Sequence, residues 1–268
     1  MMRTSNPALN NEVFRGSTAV IDATSVAGGT QGAGQVSPPR TAGEGMTIGG
    51  VMEKSAFLLL LLVAAGAVGW SQVELVEGSN PQMPGWLLVA MLGGLGIAIL
   101  TIFKPKLSPY TSPAYALVQG LVVGAISAVY DYSFKGIVLQ AVMLTIGVFA
   151  VMLALFALRI IKVTERLRSG IMVATGAVMV VYLVSFVMSL FGADVPFIHE
   201  NSLIGIGFSL AVVGIASMNL LLDFDLIERG AAAGAPKHME WYGAFGLLVT
   251  IVWLYLEMLR LLSKLRSR

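Results

Sequence analysis

Three acidic side chains lie in or beside apolar runs near the C-terminal end of the chain. Asp223 and Asp225 fall in "LLLDFDLIERG", and Glu257 falls in "VTIVWLYLEMLRLL". Two carboxylates that share a site of low dielectric cannot both ionise cheaply, so such a pair can hold a proton at low pH and release it at high pH. In the ionised state the pair also supplies the hard oxygen ligands that Ca²⁺ prefers. The acids therefore predict a pH-dependent cation site.

The same acids have a plainer interpretation. Asp223 and Asp225 can be solvated carboxylates at a membrane interface, with Asp225 paired to Arg229 one helical turn further on. Glu257 and Arg260 are three residues apart and share a helix face, so they are also candidates for an ion pair. The sequence leaves these alternatives open.

The composition determines which elements must position the acids. Hydrophobic residues make up 56% of the 268 residues and charged residues only 12%, whereas a soluble domain is about one quarter charged. We therefore expect an integral membrane protein. The absence of cysteine excludes disulfides and thiolate metal sites, and a net charge of +2 does not favour nucleic acid as a partner. No sequence motif of a hydrolase, metalloprotease or nucleotide-binding enzyme is present, so we expect neither an enzyme nor a cofactor.

The apolar residues fall into seven segments, each close to the ~20 residues that cross a bilayer as a helix. Residues 1–48, rich in Gly, Ser, Thr, Ala and Pro, predict a flexible N-terminal tail, and residues 49–268 a seven-helix transmembrane domain. Gly120 and Gly124, and then Gly207 and Ala211, are spaced for close packing of helices. The segments are Ser55–Val73, Pro84–Phe103, Ser112–Tyr130, Gly136–Leu158, Gly170–Phe191, Leu203–Leu222 and Gly243–Leu262.

Basic residues predict the orientation, because they concentrate on the cytoplasmic side of membrane proteins. They favour a cytoplasmic N-terminus in a cytoplasmic (inner) membrane. The apolar part of the last segment, Gly243–Leu256, is short, so the side on which the C-terminus lies stays open. The residues that indicate this orientation are Arg3, Arg15, Arg40, Lys54, Lys104, Lys106, Arg159, Lys162, Arg166, Arg168, Arg229 and Lys237.

The C-terminal part of the chain resembles a known family. "LLLDFDLIERGAAAGAPKHMEWYGAFGLLVTIVWLYLEMLRLL" is similar to the C-terminal signature of the Bax inhibitor-1/YccA family, "SPAYALVQGLVVGAIS" resembles its third helix, and "MRTSNP" resembles the start of one bacterial branch. The resemblance covers roughly residues 50–268. It implies a seven-helix bundle whose C-terminal helix is central and is wrapped by the other six.

The resemblance also implies a function. Bacterial members are pH-sensitive calcium leaks, gated by an acidic pair between helices six and seven. By motif this pair is Asp225 and Glu257, which would also be the calcium-binding residues, and Glu257 replaces the usual Asp. The family has an Arg partner on helix two, where this chain offers only Lys104 and Lys106 as accessory charges, beside Asp223 and Arg229. The alternative function is a non-transporting regulator that binds a membrane partner such as a membrane-bound AAA protease.

Overall fold

The computed structural model describes residues 45–74, 84–191 and 203–267. Within these ranges the regular structure is helical, apart from isolated bridge residues, among them the bridge between Gly45 and Pro236. Six of the helices are long and apolar enough to cross a bilayer, and α2 is shorter. The chain is therefore a multi-pass membrane protein. The helices are α1 (Ile48–Ser71), α2 (Leu87–Phe103), α3 (Ser108–Ser133), α4 (Ile137–Ala157), α5 (Glu165–Leu190), α6 (Leu203–Ala232) and α7 (Met239–Arg266), with a 3₁₀ turn at Pro105–Leu107.

Contacts between connectors show which helix ends share a side of the bundle. At the end where α1 begins, the Ser108 hydroxyl donates to the His238 carbonyl at 2.9 Å, and Arg159 pairs with Glu228. At the opposite end, Arg266 donates to the carbonyl oxygen of Lys135 at 2.9 Å. We call these ends the N-terminal side and the C-terminal side. Helix α7 therefore crosses the bundle completely, which answers the question that its short apolar run left open.

Glycines bring α1 and α3 into backbone contact. A Cβ atom on Gly124 would overlap the carbonyl oxygen of Gly66, and one on Gly120 would overlap the carbonyl oxygen of Leu62. Such close approach increases the dispersion contacts between helices, and lipid offers no comparable gain. The predicted packing role of Gly120 and Gly124 is confirmed. Gly207 differs, because a Cβ atom there would meet open space.

The core forms around α7, which packs against α1, α3, α4 and α6. Leu248, Leu254 and Leu259 on this helix are almost completely buried. The ring of Phe245 lies edge-on to that of Tyr115 on α3, with centroids 5.1 Å apart. These contacts place the second half of the α6–α7 hairpin inside the bundle. A C-terminal helix wrapped by all six others stays a prediction.

The end of the predicted tail has a defined structure. Helix α1 begins at Ile48, seven residues before the predicted Ser55. Ahead of it, the backbone amide of Met46 donates to the Ala235 carbonyl at 2.6 Å, and Met46 is buried. We call residues 45–47 the strap, because they cross the α6–α7 connector. The remainder of the predicted tail, residues 1–44, lies outside the described part of the chain.

Candidate functional site

Asp225 lies on α6 near the N-terminal side and is held by two arginines. Its Oδ2 accepts from Arg168 Nη2 on α5 at 2.6 Å and lies 2.5 Å from Arg229 Nη2, while Oδ1 accepts from Arg229 Nε at 2.9 Å. The Asp225–Arg229 pair follows from their spacing of four residues on one helix. The Arg168 contact joins α5 to α6, so this carboxylate ties two helices together.

Asp223 faces in a different direction, because residues two apart on a helix are about 200° apart around its axis. A Cβ atom on Gly246 of α7 would lie 3.5 Å from its Oδ1, and Thr250 interacts with the same carboxylate. Its Oδ2 is buried and accepts no hydrogen bond, and no ion pair among the described residues includes it. Asp223 is therefore an acid at the α6–α7 interface without a counter-charge.

Glu257 is almost completely buried on α7, with 1% of its surface exposed. Its Oε1 accepts from Arg260 Nη1 at 2.8 Å and from the Tyr182 hydroxyl of α5 at 2.8 Å. Arg260 also donates to the Tyr182 oxygen at 2.6 Å, which closes a three-membered network. Glu257 Oε2 has no hydrogen-bond partner. The pairing with Arg260 that their spacing suggested is therefore present.

The structure does not bring Asp225 and Glu257 together. Their partners on α5, Arg168 and Tyr182, are fourteen residues apart, which corresponds to about 21 Å of helix at ~1.5 Å per residue. The hairpin gives a similar offset, because Asp225 lies seven residues before the end of α6 and Glu257 lies eighteen residues into α7. This arrangement differs from the predicted direct pair, which needs carboxylates within ~4–6 Å to couple strongly. The gating role of the two acids stays a prediction.

A polar column runs between α5, α6 and α7. On α5 its members recur every seven residues, at Arg168, Thr175 and Tyr182. Thr175 accepts a hydrogen bond of 2.8 Å from the side-chain amide of Asn219 on α6. We define the polar column as Arg168–Asp225, Thr175–Asn219 and Tyr182–Glu257–Arg260. The column connects the levels of the two acids through otherwise apolar helices.

The accessory charges have different positions. Arg229 contacts Asp225 and Glu165 at the N-terminal end of the column. Lys104 and Lys106, the accessory charges that the chain offers where the family has an arginine, are exposed, and the ion pairs of the described residues do not include them. The arginine that reaches Asp225 from another helix comes from α5 instead. No pattern in the sequence links Arg168 to an acid 57 residues later, whereas the spacing of seven along α5 was available as a signal.

Another buried acid, Glu240 at the start of α7, was missed by sequence reasoning. It is fully buried, and its carboxylate pairs with Lys54 at 2.6 Å and with Lys237 at 2.8 Å. The backbone amide and the hydroxyl of Thr47 each donate to Oε1 at 2.9 Å. This cluster fixes the strap to α7 on the N-terminal side. The acidic residue in the first turn after the connector was its only sequence signal.

The described residues contain no group of three or more acidic or histidine side chains placed to hold a metal ion. Asp225 and Glu257, the predicted calcium-binding residues, are each engaged by arginine. Calcium takes six to eight oxygen ligands, and in this conformation neither carboxylate belongs to a cluster of acidic side chains that could supply them. Calcium binding by these acids stays a prediction that requires displacement of arginine.

Comparison with known proteins gives one family. The sequence model of a family described as Bax inhibitor 1 like matches residues 6–267, nearly the whole chain. No curated protein and no solved structure matches the chain.

Proposed function

Because the chain belongs to the Bax inhibitor 1 like family, we propose that it is a pH-sensitive cation leak that passes calcium and is gated by the acids of α6 and α7. The observation that carries the proposal is the polar column. Ionisable side chains inside transmembrane segments are expensive, and they commonly mark ion or proton routes. No enzymatic step is part of this proposal.

In this proposal, the described conformation is the closed one. Arg168 and Arg229 neutralise Asp225, and Arg260 neutralises Glu257. A free cation entering the column would have to displace one of these guanidinium groups. Because the guanidinium groups are tethered and positively charged, they act as an electrostatic barrier to cations.

Protonation supplies a way to open this gate. A proton on Asp225 removes the charge that holds Arg168, so the link between α5 and α6 weakens. A proton on Glu257 acts in the same way on Arg260 and Tyr182. The charged groups near these acids are the arginines named above, Glu165, which contacts Arg168 and Arg229, and Lys264, which interacts electrostatically with Glu257. We therefore expect the leak to increase as the pH falls.

Asp223 has a separate role in the proposal. Its carboxylate lies at the α6–α7 interface without a cationic partner among the described residues, so it is the acid most available to a passing ion. A carboxylate oxygen can replace part of the hydration shell of a cation in transit. Asp223 is thus the proposed contact for the permeating ion, and Asp225 and Glu257 are the proposed gating groups.

A shared proton between Asp225 and Glu257 predicts the opposite pH dependence. In that mechanism the proton holds the two acids together at low pH and blocks the path, and deprotonation makes them repel. It requires the acids to approach each other across the length of the polar column. The pH profile of the leak therefore distinguishes arginine release from a shared proton.

The test is calcium flux into proteoliposomes, measured from mildly acidic to mildly alkaline pH. We expect Asp225→Asn and Glu257→Gln to leak at neutral pH as the wild type does at low pH. Glu53→Gln is the matched control, since Glu53 is an exposed acid outside the column. A leak that decreases as the pH is lowered supports the shared proton. Absence of flux at every pH, together with co-purification of a membrane protease, supports the regulator instead.

We further propose that the N-terminal side faces the cytoplasm of a bacterial inner membrane. The basic residues at Lys104, Lys106, Arg159 and Lys162 support this orientation, because they lie in connectors of that side. The C-terminal side also carries basic residues, Arg260, Lys264 and Arg266. Each of these three residues donates a hydrogen bond to another part of the bundle, so packing accounts for its presence on that side.

A further inference from the structure

Lys264 is a buried lysine near the end of α7, with 4% of its surface exposed. Its ammonium group donates to the carbonyl oxygen of Gly205 at 3.0 Å and to the Ser209 hydroxyl at 2.9 Å, both on α6. None of the ion pairs among the described residues includes Lys264. Lysines near helix ends usually extend the ammonium group to the membrane surface. Lys264 instead keeps its charge inside the bundle, held by uncharged oxygens.

The position of Lys264 relates it to the polar column. Glu257, Arg260 and Lys264 follow one another at spacings of three and four residues, so they share one face of α7. Lys264 is the member nearest the C-terminal side, about 10 Å of helix beyond Glu257. A cation that enters from that side therefore meets Lys264 first, then Arg260, and only then a carboxylate.

We propose that Lys264 is a tethered cation that occupies the mouth of the polar column on the C-terminal side and sets its resistance to metal cations. Carbonyl and hydroxyl oxygens are the uncharged ligands that proteins offer to metal cations in transit. The ammonium group takes the place that such an ion would occupy between Gly205 and Ser209. The role of Lys264 as a barrier to permeating cations rests on the proposed leak function. Its electrostatic effect on access to the column can be measured without any flux.

The competing explanation is that Lys264 merely ties α7 to α6. Variants that remove or keep the charge of Lys264 distinguish the two explanations. Lys264→Met keeps most of the length of the side chain and removes its charge and its hydrogen bonds, whereas Lys264→Arg keeps the charge. Loss of a tie would loosen the helices towards every solute, but loss of a fixed charge changes access for cations relative to anions.

The first measurement uses the absence of cysteine from the chain. Val212→Cys places a single thiol on α6, three residues beyond Ser209 and buried. Cationic and anionic membrane-impermeant thiol reagents of similar size are applied from the C-terminal side. We expect the ratio of cationic to anionic labelling rates to rise on the order of tenfold in Lys264→Met and to stay unchanged in Lys264→Arg. An equal rise in both rates would overturn the proposal in favour of a simple tie.

The second measurement is calcium flux in the same variants without the thiol. We expect Lys264→Met to leak several-fold faster than the wild type at neutral pH, and Ser209→Ala to show a smaller increase. The inference about Lys264 is overturned if the wild type leaks and Lys264→Met changes neither the leak rate nor the labelling ratio. The proposed leak function is unaffected by that result. A raised labelling ratio without flux in any variant overturns the leak function and supports the electrostatic barrier.

Discussion

Arg168 on α5 and Asp225 on α6 form an ion pair of 2.6 Å that joins two helices near the N-terminal side of the bundle. The side chain of Asp225 is 12% exposed and that of Arg168 is 31% exposed, so the pair is only partly screened by solvent. Arg229 binds the same carboxylate from within α6. If the Arg168 contact is lost, Arg229 still neutralises part of the charge of Asp225.

We expect Arg168→Met to destabilise the protein by about 1–2 kcal/mol, less than the ~3–5 kcal/mol for breaking a fully buried pair, because Arg229 remains. The measurement is thermal unfolding in detergent. Arg166→Met is the control, since Arg166 is an exposed basic residue of the same helix start. Equal melting temperatures for the two variants would show that the ion pair contributes little.

Tyr182 joins Glu257 to Arg260 through its hydroxyl group, and its ring stacks with the Arg260 guanidinium at 4.8 Å. Tyr182→Phe removes the hydroxyl and keeps the ring. We expect a loss of stability of about 1–2 kcal/mol, since the hydrogen bonds involve charged groups. If Glu257 gates the leak, this variant also leaks at a higher pH than the wild type. Tyr110→Phe, at an exposed tyrosine of α3, is the matched control.

Gly124 lies where α3 crosses α1, and a Cβ atom there would overlap the Gly66 carbonyl oxygen. We expect Gly124→Ala to force the two helices apart and to destabilise the protein by about 3 kcal/mol or more, as overpacking against backbone does. Gly176→Ala on α5 should be neutral or slightly stabilising, because a Cβ atom there meets nothing within 4 Å. Melting temperatures and the monodisperse fraction in detergent compare the two. Similar values would contradict the tight crossing.

Glu240 holds the strap in place by accepting hydrogen bonds from Thr47 and by pairing with Lys54 and Lys237. We expect Glu240→Gln to destabilise the protein by about 1–3 kcal/mol, because Lys54 and Lys237 lose their shared buried carboxylate, while Lys237 is 54% exposed and keeps its charge in solvent. Glu53→Gln, at an exposed acid of α1, should leave the melting temperature unchanged.

The strap also predicts a cross-link. A Cβ atom on Gly230 would lie 2.8 Å from Met46 Sδ, so thiols introduced by Met46→Cys and Gly230→Cys should form a disulfide on mild oxidation. Adding Glu240→Gln should slow this reaction, because the strap then leaves the connector more often. Met52→Cys with Gly230→Cys serves as the control, since Met52 is an exposed residue of α1. If Met46→Cys and Gly230→Cys both keep free thiols after oxidation, that result would argue against the described position of the strap.

The sequence by itself determined the elements of this protein. Apolar runs of about twenty residues predict membrane helices, because no other backbone arrangement except a closed barrel satisfies its hydrogen bonds in lipid. The spacing of Gly120 and Gly124 predicted a close helix contact, and the spacing of Glu257 and Arg260 suggested an ion pair. These features depend on residues within a few turns of one another, so the helical period is enough to find them.

Only the tertiary structure decided which residues of other helices partner the acids. Arg168 and Tyr182 reach Asp225 and Glu257 across 57 and 75 residues of sequence, and their match depends on how far α5 is displaced along α6 and α7. The same displacement separates the two acids by several helical turns, although their motifs suggested a pair. Side-chain packing sets this displacement, and the helical period within a single segment carries no information about it. The carboxylates and their local arginines, Arg229 and Arg260, were visible in the sequence, whereas the partners on α5 were chosen by the fold.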